Sequence, residues 1–209
     1  MTQLCLTIPA LSPPEGVRLL SDALAVAKIA AVIIVPVDVG GVIAPAAALP
    51  IIAAAQKAGA AVLIHGDAHL ARTLKADGVH LPWSLDVRAL AEDAREILGQ
   101  GGIVGAEAGT SRHSAMELGE FGVDYVAFAS ALQSDGGETG DVRHDLVSWW
   151  ADIFEVPVVA LGVLGSDDAV ALAEAQAEFV GVTLPVGEDA VARLAEIAAA
   201  LGATAPKAA

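Results

Sequence analysis

Short apolar runs alternate with longer, alanine-rich amphipathic segments along the whole chain. The runs fall at 3–8 (QLCLTI), 31–37 (AVIIVPV), 60–65 (AAVLIH) and 78–81 (GVHL). They continue at 102–107 (GIVGAE), 123–129 (VDYVAFA), 156–162 (VPVVALG) and 178–184 (EFVGVTL). Val and Ile dominate most of them, and polar residues do not alternate through them. Strands buried on both faces, as in a parallel sheet, read this way. Between the runs the pattern predicts helices at 14–29, 45–58, 68–76, 85–98, 111–121, 144–154, 166–175 and 187–201. Pro14 opens the first helix, Ser111 and Ser166 stand in N-cap positions, and Gly59, Gly99, Gly122 and Gly202 follow helical runs as stop signals.

Eight strand candidates in strict alternation with eight helix candidates imply parallel strands joined by right-handed crossovers. That count points to a (β/α)8 TIM barrel, at 209 residues near the lower size limit for one. The rival, a doubly wound open sheet, would carry a Gly-rich phosphate turn after the first strand. Ile8-Pro9-Ala10-Leu11 is no such turn. No linker divides the chain, so residues 1–202 read as one domain and 203–209 (ATAPKAA) as a frayed tail.

Charge narrows the function classes. Lys and Arg number 11 against 26 Asp and Glu, a formal net charge of −15. So few cations among so many anions disfavour nucleic acid and anionic membrane surfaces as partners. The most apolar stretch, Ile29 to Leu63, is broken by Pro36, Asp38, Pro45, Pro50 and Lys57 before it reaches the length of a spanning helix. Met1 to Pro9 lacks the basic start of a signal peptide. Cys5 is the single cysteine, which excludes an internal disulfide. A cytoplasmic protein is expected.

Barrels of this kind carry function at the C-terminal ends of the strands and in the loops that follow. Polar residues at those positions include Asp38, His65, Asp67, His80, Glu107, Arg112 and Thr183. His65, at the end of the third run, is a candidate ligand-contacting or acid–base group. His80 is either a satisfied core histidine or part of the site. His69 reads as a surface or capping residue. Asp67 reads as an N-cap or a metal ligand. Glu107 ends an apolar strand between Ala106 and Ala108, so its carboxylate is either paired or facing a pocket. A phosphate could use the turn Gly162-Val163-Leu164-Gly165 and the end of the eighth strand at Thr183, with Arg112 and Arg143 as the cations of the top-face loops. The acidic, Gly-rich segment 133–143 reads as a mobile lid or a disordered turn, and Trp149-Trp150 as core or as the interface of a homodimer.

Ala76-Asp77-Gly78-Val79-His80-Leu81 resembles the ADGVHL motif of the thiamine-phosphate synthase and TenI family. Phe121-Gly122-Val123-Asp124-Tyr125-Val126 and Pro157-Val158-Val159-Ala160-Leu161-Gly162 are similar to two further motifs of that family, in the same order. Ile64-His65-Gly66-Asp67 stands where the family has I-N-D. Ser111–Met116 and Trp149–Pro157 look like a divergent bacterial branch of it.

The resemblance implies a TIM barrel acting in thiamine biosynthesis. It would join a hydroxymethylpyrimidine diphosphate to a thiazole phosphate with Mg2+, Asp67 standing beside the family's metal position. It implies a small phosphorylated heterocycle as partner. The chain departs from the family at several points. Its second run ends Ile34-Val35-Pro36-Val37-Asp38, where the family carries cations, and Pro82-Trp83-Ser84-Leu85 replaces G-Q-x-D. Like charges 4 Å apart repel by about 4 kcal/mol at an effective dielectric near 20, so Asp38 and Glu107 oppose a diphosphate. Three readings follow: the synthase reaction, a TenI-like enzyme on a thiazole phosphate, or a non-catalytic barrel that binds a small molecule.

Overall fold

The computed structural model describes residues 2–129, 142–185 and 189–203. Among them, strands and helices alternate in the order β1 (Gln3–Pro9), α1 (Pro13–Val26), β2 (Ile29–Val35), α2 (Pro45–Lys57), β3 (Ala61–His65), α3 (Ala68–Leu74), β4 (Gly78–Leu81) and α4 (Val87–Leu98). The order continues β5 (Ile103–Glu107), α5 (Arg112–Phe121), β6 (Tyr125–Ala129), α6 (Arg143–Ile153), β7 (Val158–Leu161), α7 (Ser166–Glu174), β8 (Phe179–Thr183) and α8 (Asp189–Ala200). Neighbouring strands pair in parallel in chain order, and β8 closes on β1. The expected (β/α)8 TIM barrel is the architecture of the chain.

The absence of polar alternation has a direct cause. Side chains alternate between the two faces of each strand. Leu4, Leu6, Ile8, Val32, Ile34, Val62 and Ile64 point outward into one apolar layer beneath the helices. Cys5, Ile33, Leu63, Tyr125, Ala127, Val159 and Leu161 point inward and fill the barrel. Both faces are therefore dry. Trp150 is fully buried, stacks on Phe154 at 4.0 Å and donates its indole N–H to Val156 O at 2.7 Å.

A repeated carboxylate device holds the strand starts. Asp77 Oδ2 accepts from Val62 N at 2.7 Å, Asp124 Oδ2 from Val104 N at 2.7 Å, and Glu178 Oε2 from Val158 N at 2.8 Å. Each carboxylate directly precedes β4, β6 or β8 and takes an N–H near the start of the strand before. These groups lie at the N-terminal end of the barrel. Asp77 and Asp124 belong to the two motifs quoted above, whose carboxylates thus serve the sheet.

Some boundaries move. β2 ends at Val35, because Pro36 has no N–H to continue the ladder. Gly165, in extended backbone, occupies the N-cap of α7, which moves Ser166 into the first turn. Ser111 caps α5 as expected, accepting from Ser114 N at 3.2 Å. The segment expected to form a lid or a disordered turn lies outside the described residues except for Val142 and Arg143, and so does the tail beyond Ala203. No described helix is long and apolar enough to cross a membrane.

Candidate active site

Strand register gathers the site. His65 on β3 pairs with His80 on β4, His80 with Gly105 on β5, and Gly105 with Tyr125 on β6. All four positions face the barrel interior. Gly105 contributes no side chain, and a Cβ there would fall within the Tyr125 ring. That gap lets Tyr125 lie across β5 toward β4. Its hydroxyl is 2.8 Å from His80 Nδ1, with the two rings within 7° of parallel. Two residues beyond Gly105, Glu107 returns to the same face, and its Oε1 is 3.0 Å from His80 Nε2. The His65 and His80 ring centroids are 5.9 Å apart.

The electrostatics assign the protons. Burial pushes the Tyr125 hydroxyl well above its usual range, aided by Cys5, Glu107 and Asp124, so it stays protonated and donates. With a neutral ring at His80, Nδ1 accepts from Tyr125 and Nε2 carries the proton toward Glu107. The other neutral tautomer would aim a lone pair at the carboxylate. Burial by itself would raise the Glu107 carboxyl. The hydrogen bond from His80, the attraction of the two nearby imidazoles and the backbone N–H of Trp83 outweigh it and hold Glu107 below the usual range. Burial and His80 lower His65, while Glu107 acts in the opposite sense, so His65 is neutral near pH 7. The mouth of the barrel thus presents an ionised carboxylate on a fixed support beside a neutral imidazole.

The other expected residues disperse. Asp67 is the N-cap of α3, its Oδ1 accepting from Leu70 N at 2.8 Å. Arg112, at the start of α5, stacks over the Trp149 ring at 4.9 Å. Arg143 was expected in a top-face loop but begins α6 and is buried. It donates to Leu161 O at 2.7 Å and to Asp168 Oδ1 at 2.7 Å. Gly162 follows β7 with φ +71°, and the N–H of Leu164 two residues on donates to Asp168 Oδ2 at 3.0 Å. Asp168 thereby occupies part of the anion turn at the N-terminus of α7. Thr183 ends β8, exposed.

Tyr125 and Arg193 were not singled out from the sequence, and Trp83 only as a residue just after His80. Tyr125 sits in the run YVAFA, where its hydroxyl is the only polar side-chain atom. Arg193, on α8, reaches back to donate to Thr183 O at 3.1 Å and brings a cation to the end of β8. Trp83, half exposed, lays its indole against Gly109 while its backbone N–H holds Glu107. The signal for Tyr125 was its position in an inward-facing register. Arg193 left no such signal, because a helical arginine ordinarily reads as surface.

The implied magnesium can be weighed against these donors. Among the described residues, no three His, Cys, Asp or Glu side chains come together as they would around an ion. Asp67 has one oxygen committed to its cap. The described donors form no all-protein magnesium cage, and magnesium held by one or two carboxylates needs phosphate oxygens and water to complete its shell.

Comparison with known proteins supplies the family. The family model described as "Thiamine monophosphate synthase" matches residues 14–186. A thiamine-phosphate synthase of Erythrobacter litoralis (strain HTCC2594) is 40% identical over 126 residues, covering 59% of this chain and 58% of that one. One from Hyphomonas neptunium (strain ATCC 15444) is 41% identical over 133 residues, covering 63% and 58%. The aligned stretch therefore spans 58% of the length of each of these relatives. Among solved structures, the thiamine phosphate pyrophosphorylase from Pyrococcus furiosus superposes with a TM-score of 0.75 at 18% identity, covering 96% of this chain and 95% of that one. A 3-hexulose-6-phosphate synthase superposes with a TM-score of 0.69 at 19% identity, covering 95% and 99%. These two likenesses carry the fold alone. The match to the family model covers most of the chain, which belongs to the thiamine monophosphate synthase family.

Proposed function

We propose that this barrel acts in thiamine biosynthesis and couples a hydroxymethylpyrimidine diphosphate with a thiazole phosphate at its C-terminal mouth. The observation that carries the reading is Glu107, held ionised at the end of β5 by His80. In the coupling, the carbon–oxygen bond to the diphosphate breaks and its electron pair leaves with the diphosphate. The pyrimidine methylene becomes positive until the thiazole nitrogen supplies the pair for the new carbon–nitrogen bond. A unit positive charge 4 Å from Glu107 would be favoured by about 4 kcal/mol at an effective dielectric near 20. A fixed carboxylate aimed at developing charge costs little reorganisation.

His65, neutral, supplies a hydrogen-bonding or proton-accepting nitrogen beside the same carboxylate. The exposed indole of Trp83 offers a flat surface to an aromatic heterocycle. The phosphate would lie on the opposite side, near Gly162, Gly165, Thr183 and the Arg193 guanidinium. Magnesium would enter with the diphosphate rather than on a protein ligand set.

The test is product formation. Purified protein is given both substrates with magnesium chloride, and thiamine monophosphate is followed by mass spectrometry. Glu107→Gln is expected to lower kcat by about 10²-fold or more with little change in KM. No product from the wild-type chain would overturn the coupling reaction. Equal rates for the wild type and the Gln variant would remove Glu107 from it.

A further inference from the structure

At the end of the barrel away from Glu107, the interior contains an apolar cavity of about 130 Å3 that opens to solvent past the partly exposed Ala31, Ala61, Ile103 and Phe179. Ala61, Ile103, Tyr125 and Phe179 line it, and each is the first residue of its strand, which places the cavity in the N-terminal half of the barrel. Cys5 and Ala31 complete the wall from β1 and β2. The space exists because small side chains stand at inward positions where other strands carry Ile, Leu or Phe. No charged residue lines it.

We propose that this cavity is a binding site for a small, uncharged, apolar molecule of about benzene size. Volume sets the upper limit. An enclosed apolar protein cavity of about 150 Å3 takes up benzene or xenon. Polarity excludes the alternatives. A water bound on this wall, away from bulk solvent, would need two to four polar partners. The two polar groups of the wall are both engaged. The Tyr125 hydroxyl is hydrogen-bonded to His80, and the Cys5 Sγ is 3.9 Å from Leu6 O. Burial pushes the Cys5 thiol up to about 12, so the wall gains no thiolate at neutral pH. An anion or a phosphorylated heterocycle finds no counter-charge here, which separates this site from the mouth.

Tyr125 is shared between the two ends of the barrel. Its ring forms part of the cavity wall and its hydroxyl supports His80, so an occupant would bear on the group that holds Glu107. The site stands on the cavity and does not depend on the coupling reaction.

The test uses xenon and benzene on the full chain. Wild-type protein is expected to shift the 129Xe resonance in a saturable manner, and saturating benzene is expected to raise Tm, as any ligand of the folded state does. Ala31→Val and Ala61→Leu place methyl groups into the space and are expected to abolish the saturable shift. An absent or non-saturable xenon shift in the wild-type chain overturns the proposal. So does a shift that survives undiminished in a folded filled variant. Ala31→Val, which adds two methyl groups, decides the matter where Ala61→Leu fails to fold.

Discussion

His80 Nε2 and Glu107 Oε1 lie 3.0 Å apart across β4 and β5, and that contact keeps the carboxylate ionised in a largely buried position. Neither residue could hold the arrangement alone. An unpaired buried carboxylate would take up a proton. A buried neutral histidine with a free ring nitrogen would lose the desolvation cost of that atom without return. Tyr125 closes the chain at the other nitrogen, and the missing side chain of Gly105 gives it the path.

Tyr125→Phe removes the hydroxyl and nothing else. His80 Nδ1 is then buried without a donor, which costs about 1–3 kcal/mol of stability. With its tautomer no longer fixed, His80 supports Glu107 less well, and the Glu107 carboxyl is expected to titrate at higher pH. Urea denaturation reads the first effect and carboxyl-carbon NMR titration the second. Unchanged values for both would mean that Tyr125 is only a packing residue.

The sequence exposed some parts of this site and hid others for physical reasons. Glu107 was visible because a carboxylate at the end of an apolar strand must be paired or face a pocket. His80 read as either core or site, and its geometry joins the two: both ring nitrogens are satisfied, one of them by the candidate carboxylate. Tyr125 was hidden because an aromatic in a buried strand is ordinary and its hydroxyl meets His80 only through register. The barrel itself was legible because eight doubly buried strands leave a coarse, repeated signal. The motif carboxylates Asp77 and Asp124 were legible as family marks, yet they clamp strand starts at the far end from the candidate site. Arg143 looked like a loop cation because the end of the preceding loop could not be told from the first turn of α6.

His65 makes stability depend on pH in a definite direction. Its folded value lies below the ordinary 6.5, through burial first and the nearby His80 second. Between the folded value and 6.5 the unfolded chain binds more protons than the native one, so stability rises with pH. The contribution is present above the unfolded value and is lost as pH falls through the folded one. His65→Gln should flatten this part of the profile, measured as urea midpoints from about pH 7.5 down to about pH 5. A wild-type-to-variant difference that stays constant across that range would show that His65 does not titrate as described.

Arg143 is expected to behave as a structural residue. Its guanidinium bridges Leu161 O and Asp168 Oδ1, both at 2.7 Å, from a buried position. Removing one partner of a buried ion pair costs about 3–5 kcal/mol, because the other is left without its counter-charge. Asp168 is 25% exposed, which places Arg143→Ala toward the lower end, about 3 kcal/mol. Arg143→Lys cannot reproduce the two-pronged geometry and should also lower the urea midpoint. Unchanged stability with a raised KM for the phosphorylated substrate would instead return Arg143 to the phosphate role expected from the sequence.

Three substitutions around one carboxylate separate its bond to the β3 backbone from its bond to the exposed Gln56 side chain. Asp77 Oδ2 accepts from the β3 backbone at Val62 N, at 2.7 Å, and from the exposed Gln56 side chain at 3.1 Å. The backbone bond is partly buried and its acceptor is charged, a class worth about 1.5–3 kcal/mol. Loss of an exposed side-chain partner usually changes stability by no more than about 0.5 kcal/mol. Asp77→Ala should therefore lower the urea midpoint several times more than Gln56→Ala. Asp77→Asn, which keeps an oxygen acceptor, should fall between them. Native-state hydrogen exchange gives the sharper reading: the Val62 amide should lose protection in Asp77→Ala and keep it in Gln56→Ala. Equal effects of the Asp77→Ala and Gln56→Ala substitutions would make the motif aspartate a surface residue.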